Sequence, residues 1–176
     1  MKRAAILILM LSSSGCDRST STAGQASDSQ TDVGNALDQQ AMVAGILPDS
    51  KNVSFAGRYE VRSELGIDKF CAVNDGADQF RIGLLATFGP ESKCEGQGTA
   101  TIADENVHLR LSGKGDCAFD ATFDGSELRF PGKIPDGCAA YCSPRASMSG
   151  THYFLVEQGD DKARRTLGRD IEKLCV

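Results

Sequence analysis

The stretch of residues 94–130 constrains the fold more than any other part of the chain. Its apolar and polar side chains alternate, and two short polar segments interrupt it, Asp-Glu-Asn at 104–106 and Asp-Gly-Ser at 124–126. Alternation with a period of two is typical of strands that bury one face, and turn residues between such runs are typical of hairpins. The stretch therefore predicts an antiparallel meander.

Pairing across these two turns predicts which side chains face the interior. Ile102 is expected opposite Leu109, which brings Cys94 opposite Cys117, and Phe123 is expected opposite Leu128. Successive side chains on a strand point to opposite faces. This register directs one set inward: Leu109, Leu111, Cys117, Phe119, Ala121 and Phe123. The alternating set points to solvent: His108, Arg110, Asp120, Thr122 and Asp124.

Similar alternation predicts strands at residues 55–63 and 80–88, and a further strand is expected at residues 69–74. Residues 148–156 are apolar and aromatic enough for an eighth strand or a strand-like return. The sequence thus predicts a mostly β fold, an antiparallel meander of seven or eight strands that closes into a small barrel or a strongly curled sheet. A flat sheet packed on a helix is the alternative. Closure is favoured because an open meander would leave two exposed edge strands.

The last segment predicts one C-terminal helix over residues 160–174, at the end of a single domain that covers residues 51–176. Asp160 is a suitable N-cap, and Asp160-Asp161 is interpreted as a helix start rather than a metal site. Gly168 weakens this helix by up to about 1 kcal/mol. Four apolar residues share one face at helical spacing: Ala163, Leu167, Ile171 and Leu174.

Residues 1–15 predict a signal peptide, with Lys2 and Arg3 before an apolar run of residues 4–11 that is too short to span a bilayer. Small residues then precede Cys16. This pattern resembles a bacterial lipoprotein signal, although Ser13 stands where such signals usually carry Leu. The resemblance implies lipidation of Cys16 and a membrane anchor in the bacterial cell envelope, facing the periplasm. Ordinary secretion is the alternative. Asp17 after the cysteine resembles an enteric sorting signal, which implies retention at the inner membrane; the outer membrane is the alternative.

Residues 16–50 predict a flexible tether, because Ser, Thr, Gln, Asp and Gly dominate its first half. A short amphipathic helix is expected near its end. Removal of residues 1–15 takes away Lys2 and Arg3 and no acidic residue, so the net charge changes from −5 to −7. Such a charge is a poor match for nucleic acid.

Six cysteines remain after Cys16, and an even number in an exported domain predicts disulfides. The register favours Cys94–Cys117, and Cys142–Cys175 and Cys71–Cys138 are the pairings assumed for the rest. The alternative is a zinc site at Cys138 and Cys142, but no second Cys or His pair lies nearby in the sequence.

No catalytic or metal-binding motif is found, so the sequence predicts neither an enzyme nor a cofactor. Of the two histidines, His108 points outward by register and sits among exposed residues, and His152 has no nearby carboxylate or nucleophile in sequence. There is no G-x-S-x-G elbow, H-E-x-x-H pair or phosphate-binding glycine loop.

Two short segments resemble families of small exported inhibitors. Residues 56–59 (Ala-Gly-Arg-Tyr), a cysteine-bearing strand and a meander resemble bacterial metalloprotease inhibitors with a lipocalin-like barrel. Those proteins usually carry a Trp near the position of Tyr59 and a single disulfide, whereas this chain has no Trp. Residues 149–153 (Ser-Gly-Thr-His-Tyr) are similar to part of the membrane-bound lysozyme inhibitors, without the Trp and Lys-Gly that follow there.

The first functional hypothesis is a lipid-anchored binding protein whose partner is another protein, such as a hydrolase that it inhibits. The surface expected to bind is the loop of residues 135–149, through Tyr141, Arg145 and Met148; the alternative is that this segment is a bridged structural loop. The second is a lipocalin-like carrier with a small molecule inside the barrel, among the inward side chains. The third is a structural envelope lipoprotein without a discrete ligand.

Overall fold

The computed structural model describes residues 53–176, together with Leu37, Gln40 and Ala41, which are helical. The predicted signal peptide, the lipidation site Cys16 and most of the predicted tether lie outside the described residues. Within the described part of the chain, every helix is too short or too polar to span a lipid bilayer.

The domain is a closed antiparallel barrel of eight strands in sequence order, as the alternation predicted. The last strand pairs with the first, so the sheet has no free edge. The strands are β1 (Gly57–Ser63), β2 (Gly66–Gly76), β3 (Gln79–Thr87), β4 (Lys93–Ala103), β5 (Asn106–Ser112), β6 (Cys117–Phe123), β7 (Glu127–Arg129) and β8 (His152–Gln158).

The predicted inward and outward faces of the meander are confirmed, although one register is wrong by two residues. Ile102 lies opposite Val107 rather than Leu109, because the β4–β5 turn contains only Asp104 and Glu105. A shift of two residues leaves every side chain on its predicted face. Phe123 lies opposite Leu128 as predicted. All six residues predicted to face inward are buried, and all five predicted to face solvent are exposed.

The two ends of the barrel differ. The closed end carries the loop of residues 130–151 between β7 and β8, which contains a short 3-10 helix, Asp136–Tyr141. The open end carries the β2–β3, β4–β5 and β6–β7 turns, and β1 starts there. Because consecutive strands are antiparallel, alternate connections come to the same end.

The predicted C-terminal helix ends early. Helix α1 spans only Asp160–Ala163, and Asp160 does not cap it but accepts a hydrogen bond from the Asn74 N–H at 2.9 Å. Residues 164–176, which we call the strap, run over the outer face of β2, β3 and β4, and Leu174 is buried there. A Cβ at Gly83 would collide with the Leu174 carbonyl, so glycine permits this close approach.

One carboxylate holds the strap in a non-helical conformation. Glu95 on β4 accepts hydrogen bonds from the backbone N–H groups of Arg169, Asp170 and Ile171, at 2.6 to 3.3 Å, and from the Lys93 ammonium at 2.6 Å. Burial alone would raise the pKa of Glu95, but these bonds lower it below the ordinary 4.5. The hydrogen bonds to Glu95 favour this conformation over the helix that the spacing of the apolar residues predicts. Leu167, which was predicted to lie on the apolar face of that helix, is 52% exposed.

All six cysteines form disulfides, but the three predicted pairings are wrong. The observed bridges are Cys71–Cys175, Cys94–Cys142 and Cys117–Cys138. Strand β5 pairs with β4 only as far as Gln97, so Cys94 lies beyond it and meets Cys142 instead. Cys138 and Cys142 bond to different partners, which removes the thiolates that the alternative zinc site would need.

Candidate binding site at the open end of the barrel

The loop predicted to bind a partner closes the barrel instead. Tyr141 and Met148 were expected to be exposed, but they are 5% and 0% exposed. The Tyr141 hydroxyl accepts a hydrogen bond from the Lys114 N–H at 3.0 Å. Arg145 alone of the three lies at the surface, in a left-handed conformation with φ of 68°. Tyr141 and Met148 belong to the hydrophobic core, and Ile134 of the same loop packs against it.

A predicted ligand site inside the barrel is also not observed, because side chains fill the interior. A series of aromatic rings runs from β1 towards the closed end, with centroids 4.9 to 5.7 Å apart. The series comprises Tyr59, Phe70, Tyr153, Phe130 and Phe119. The nine inward side chains expected around a ligand in the barrel all belong to the same packed core: Phe80, Ile82, Leu84, Leu109, Leu111, Phe119, Phe123, Leu128 and Phe130.

The open end contains a cavity of about 550 Å3, which we call the cup. It lies between the start of the described domain and the three turns of this end. The apolar side chains that line it are Val53, Phe55, Phe80, Ile102 and Phe123, and the polar residues are Ser54, Asp78, Asp104, Glu105 and Asp124. A cavity of this volume is within the range of small-molecule sites.

Three phenylalanine rings form the floor of the cup. Phe55 lies between Phe80 and Phe123, with ring centroids 5.1 Å from each and nearly perpendicular planes. Edge-to-face pairs of this kind are a favourable packing of aromatic rings. The Tyr59 hydroxyl donates a buried hydrogen bond of 2.7 Å to the Phe55 carbonyl. Burial raises the pKa of Tyr59, so the hydroxyl stays protonated and fixes the backbone of the floor.

Four carboxylates form the rim of the cup, and they come from three different turns. Asp78 lies in the β2–β3 turn and Asp104 and Glu105 in the β4–β5 turn, all exposed. None of these three forms an ion pair with another described residue. Asp78 and Asp104 have positive φ values of 56° and 54°, a conformation that Asp tolerates better than most residues.

The fourth rim carboxylate, Asp124, has a structural role in its own turn. Its Oδ1 accepts hydrogen bonds from the backbone N–H groups of Ser126 and Glu127, at 2.8 and 2.7 Å, and from the Ser126 hydroxyl. Burial alone would raise the pKa of Asp124, but these hydrogen bonds lower it.

Sequence reasoning missed the cup. In an up-and-down barrel the turns after β2, β4 and β6 must share one end, and each of them contains an acidic residue. The turns at the closed end contain acidic residues as well (Glu64, Glu91 and Asp116), so this pattern does not distinguish the two ends. The floor was harder to predict, because Phe55 precedes β1 and bends over the interior from outside the sheet.

The histidines do not contribute to the cup. His108 lies on the outer face, with its Nδ1 2.7 Å from Asp120, and His152 is exposed on β8 beside Phe154. Among the described residues, no three His, Cys, Asp or Glu side chains are grouped so that they could hold a metal ion.

A comparison of this chain with protein-family models, with curated proteins and with solved structures finds no match.

Proposed function

We propose that this protein is a lipid-anchored binding protein of the bacterial cell envelope, facing the periplasm, that binds a small apolar molecule in the cup. The observation that carries the proposal is a cavity of about 550 Å3 with a floor of three phenylalanine rings, at the mouth of a barrel that is otherwise filled. The proposal assigns no catalytic step to the chain.

The rigidity of the surrounding structure supports a preformed site. The floor belongs to the hydrophobic core, and the strands that carry the rim turns are paired all round the barrel. A site that is ordered before binding loses less conformational entropy when the ligand enters. A small cup on a rigid barrel is therefore suited to a compact ligand rather than to a long flexible chain.

The position of the cup agrees with a membrane anchor at Cys16. Val53 and Ser54 line the cup, so the chain enters the domain at the open end. A lipid anchor at Cys16 would attach the domain to the membrane, where apolar molecules accumulate.

Binding of a neutral apolar probe tests the proposal. The full chain with Cys16→Ser, oxidised and unlipidated, would be titrated with 2-naphthylmethanol while backbone amide shifts are followed by NMR. We expect saturable shifts around Phe80, Ile102 and Phe123. Ile102→Trp, which fills the cup, should weaken binding about tenfold, as expected when a pocket loses its space for an apolar group.

The matched control is Leu65→Trp, which adds the same ring at an exposed position of the β1–β2 turn at the closed end. It should leave the affinity unchanged. Shifts scattered over other surfaces, or equal binding by Ile102→Trp and the parent chain, would contradict the proposal.

A second candidate function is inhibition of a hydrolase through the closed end. The observation that favours it is that the loop carrying Arg145 is fixed by two disulfides, since rigid loops bind protein partners with little loss of entropy. Lysozyme and secreted metalloproteases would be assayed with the chain present. Arg145→Glu should relieve inhibition, whereas Lys133→Glu, an exposed cation of the same loop, should not. Full activity of every hydrolase in the presence of the chain would rule this candidate out.

A further inference from the structure

We propose that the cup selects small organic cations, in which an amine or guanidinium group is joined to an apolar body. This inference rests on the proposed function, because it concerns the same cavity, and it names the class of ligand. The apolar body would lie on the phenylalanine floor and the cationic group would reach the carboxylate rim.

The charges around the mouth support a cationic ligand. Asp78, Asp104 and Glu105 have no cationic partner among the described residues. Among the described residues, three cations close to this end in sequence already pair with carboxylates: Arg81 with Asp75 at 3.3 Å, Arg129 with Glu127, and Lys162 with Glu157 at 2.9 Å. A cleft lined by charges of one sign raises the local concentration of ligands of the opposite sign.

The floor supports an apolar body rather than a bare ion. Phe55, Phe80 and Phe123 are each at most 6% exposed and offer no hydrogen-bonding group to a hydrated ion. Aromatic rings instead accommodate hydrocarbon. The combination of floor and rim therefore requires both properties in one molecule.

The same rim disfavours the other charge classes. An anionic amphiphile such as a fatty acid would bring its carboxylate towards at least three others, which is unfavourable at short distances. A neutral molecule would use the floor alone. The expected order of affinity is therefore cation, then neutral molecule, then anion.

Three compounds that share a naphthalene ring but are cationic, neutral or anionic test this order. The full chain with Cys16→Ser would be titrated with 2-naphthylmethylamine, 2-naphthylmethanol and 2-naphthoate at pH 7. We expect the amine to bind about tenfold more tightly than the alcohol at low salt, as a few partly exposed charge pairs would give. The preference should shrink to about twofold at 0.5 M salt, because the screening length falls to a few ångströms.

A triple variant separates the rim from the floor. Asp78→Asn, Asp104→Asn and Glu105→Gln remove three charges, and Asn tolerates the positive φ of both aspartates. Asp124 is kept because it holds its turn. The triple variant should lose the preference for the amine while its affinity for the alcohol stays unchanged.

The matched control changes net charge equally but far from the mouth. Glu64, Glu91 and Glu172 are exposed and belong to the closed-end loops and the strap, so Glu64→Gln, Glu91→Gln and Glu172→Gln should keep the preference. Equal loss of preference in both triple variants would mean that total charge acts rather than the rim, which would overturn the inference.

The outcomes distinguish this inference from the proposed function. If the alcohol and the amine bind in the cup with equal affinity, the cavity is a ligand site but the cationic class is wrong. If none of the three compounds shifts the cup residues, both proposals fail. If the amine fails but a basic peptide such as tetra-arginine causes the shifts and loses them in the triple variant, the occupant is a protein segment and the small-cation assignment is wrong.

Discussion

The two ends of the barrel cover the hydrophobic interior in different ways. At the closed end, a loop bound by Cys94–Cys142 and Cys117–Cys138 covers the interior with Tyr141 and Met148. At the open end no disulfide is present among the described residues, and Phe55 covers the interior by packing between two other rings.

The difference indicates a division of roles. Two disulfides fix the loop at the closed end, and its Tyr141 and Met148 side chains are part of the packed core. An aromatic floor closes the open end from beneath and leaves the space above it accessible. We therefore expect changes at the closed end to affect mainly stability, and changes at the open end to affect both stability and binding.

Removal of both closed-end bridges should have the largest effect. The variant with alanine at residues 94, 142, 117 and 138 should lose about 4–8 kcal/mol of unfolding free energy, since each disulfide contributes about 2–4 kcal/mol. Urea unfolding of each double variant and of the quadruple variant would measure it.

Loss of a disulfide at the closed end should leave binding in the cup unchanged. Cys94→Ala with Cys142→Ala, if folded, should bind 2-naphthylmethanol as tightly as the parent chain. Cys71→Ala with Cys175→Ala is the control, because it removes the disulfide that joins the strap to the outer face of the barrel. A folded closed-end variant that had lost the probe would show that the two ends are coupled.

Removal of one aromatic ring at either end should destabilise the fold to a similar extent, but the two variants should differ in their affinity for the probe. Phe55→Ala and Phe119→Ala each remove a buried phenylalanine, which costs about 3–5 kcal/mol. Only Phe55→Ala should abolish probe binding, because Phe119 packs against Phe130 away from the cup. Calorimetric melting and probe titration would be compared, and equal loss of binding in both variants would contradict the proposed site.

The barrel was predictable from sequence because it depends on local alternation. Each strand shows its inward face within a few residues, so even the wrong register of β4 and β5 left Leu109 and Leu111 buried. Disulfide pairing depends on which strand ends lie beside which loops. The same two-residue error and the unequal lengths of β4 and β5 therefore made the Cys94 prediction wrong.

The cup and the strap were not predictable because distant residues determine them. Residues 163–174 have helical periodicity, yet Glu95, which is 74 residues before Arg169, binds the backbone of the strap. The cup requires three turns that only barrel closure brings together. One hint was available for the strap: Phe70 is inward, so Cys71 must point outward and could not reach Cys138 inside the closed end.

Loss of the Glu95 charge should release the strap. Glu95→Gln should lower the unfolding free energy at pH 7 by about 1.5–3 kcal/mol, because hydrogen bonds to a charged group are replaced by weaker ones. Glu91→Gln, at an exposed position, is the control. Urea unfolding would be measured for both variants and the parent chain.

The lowered pKa of Glu95 gives this effect a pH dependence. A carboxyl group whose pKa is lower in the folded state stabilises the fold above its unfolded pKa, and this contribution disappears as the pH falls through the folded pKa. The stability gap between Glu95→Gln and the parent chain should therefore be complete at pH 7 and shrink below about pH 4.5. A gap that stays constant down to pH 3 would show that the carboxylate charge does not hold the strap.

The smallest predicted effect compares two buried tyrosines. The Tyr59 hydroxyl donates to the Phe55 carbonyl, whereas the Tyr153 hydroxyl has no hydrogen-bond partner in the described part of the chain. Tyr59→Phe should cost about 1–2 kcal/mol and weaken probe binding severalfold, because it leaves a buried carbonyl unpaired and loosens the floor. Tyr153→Phe removes an unpaired polar group, so it should be neutral or stabilising by about 1 kcal/mol, with binding unchanged. Thermal melts and probe titrations of both variants would decide. Equal effects would mean that the Tyr59 hydrogen bond does not position Phe55, and the floor would then depend on ring packing alone.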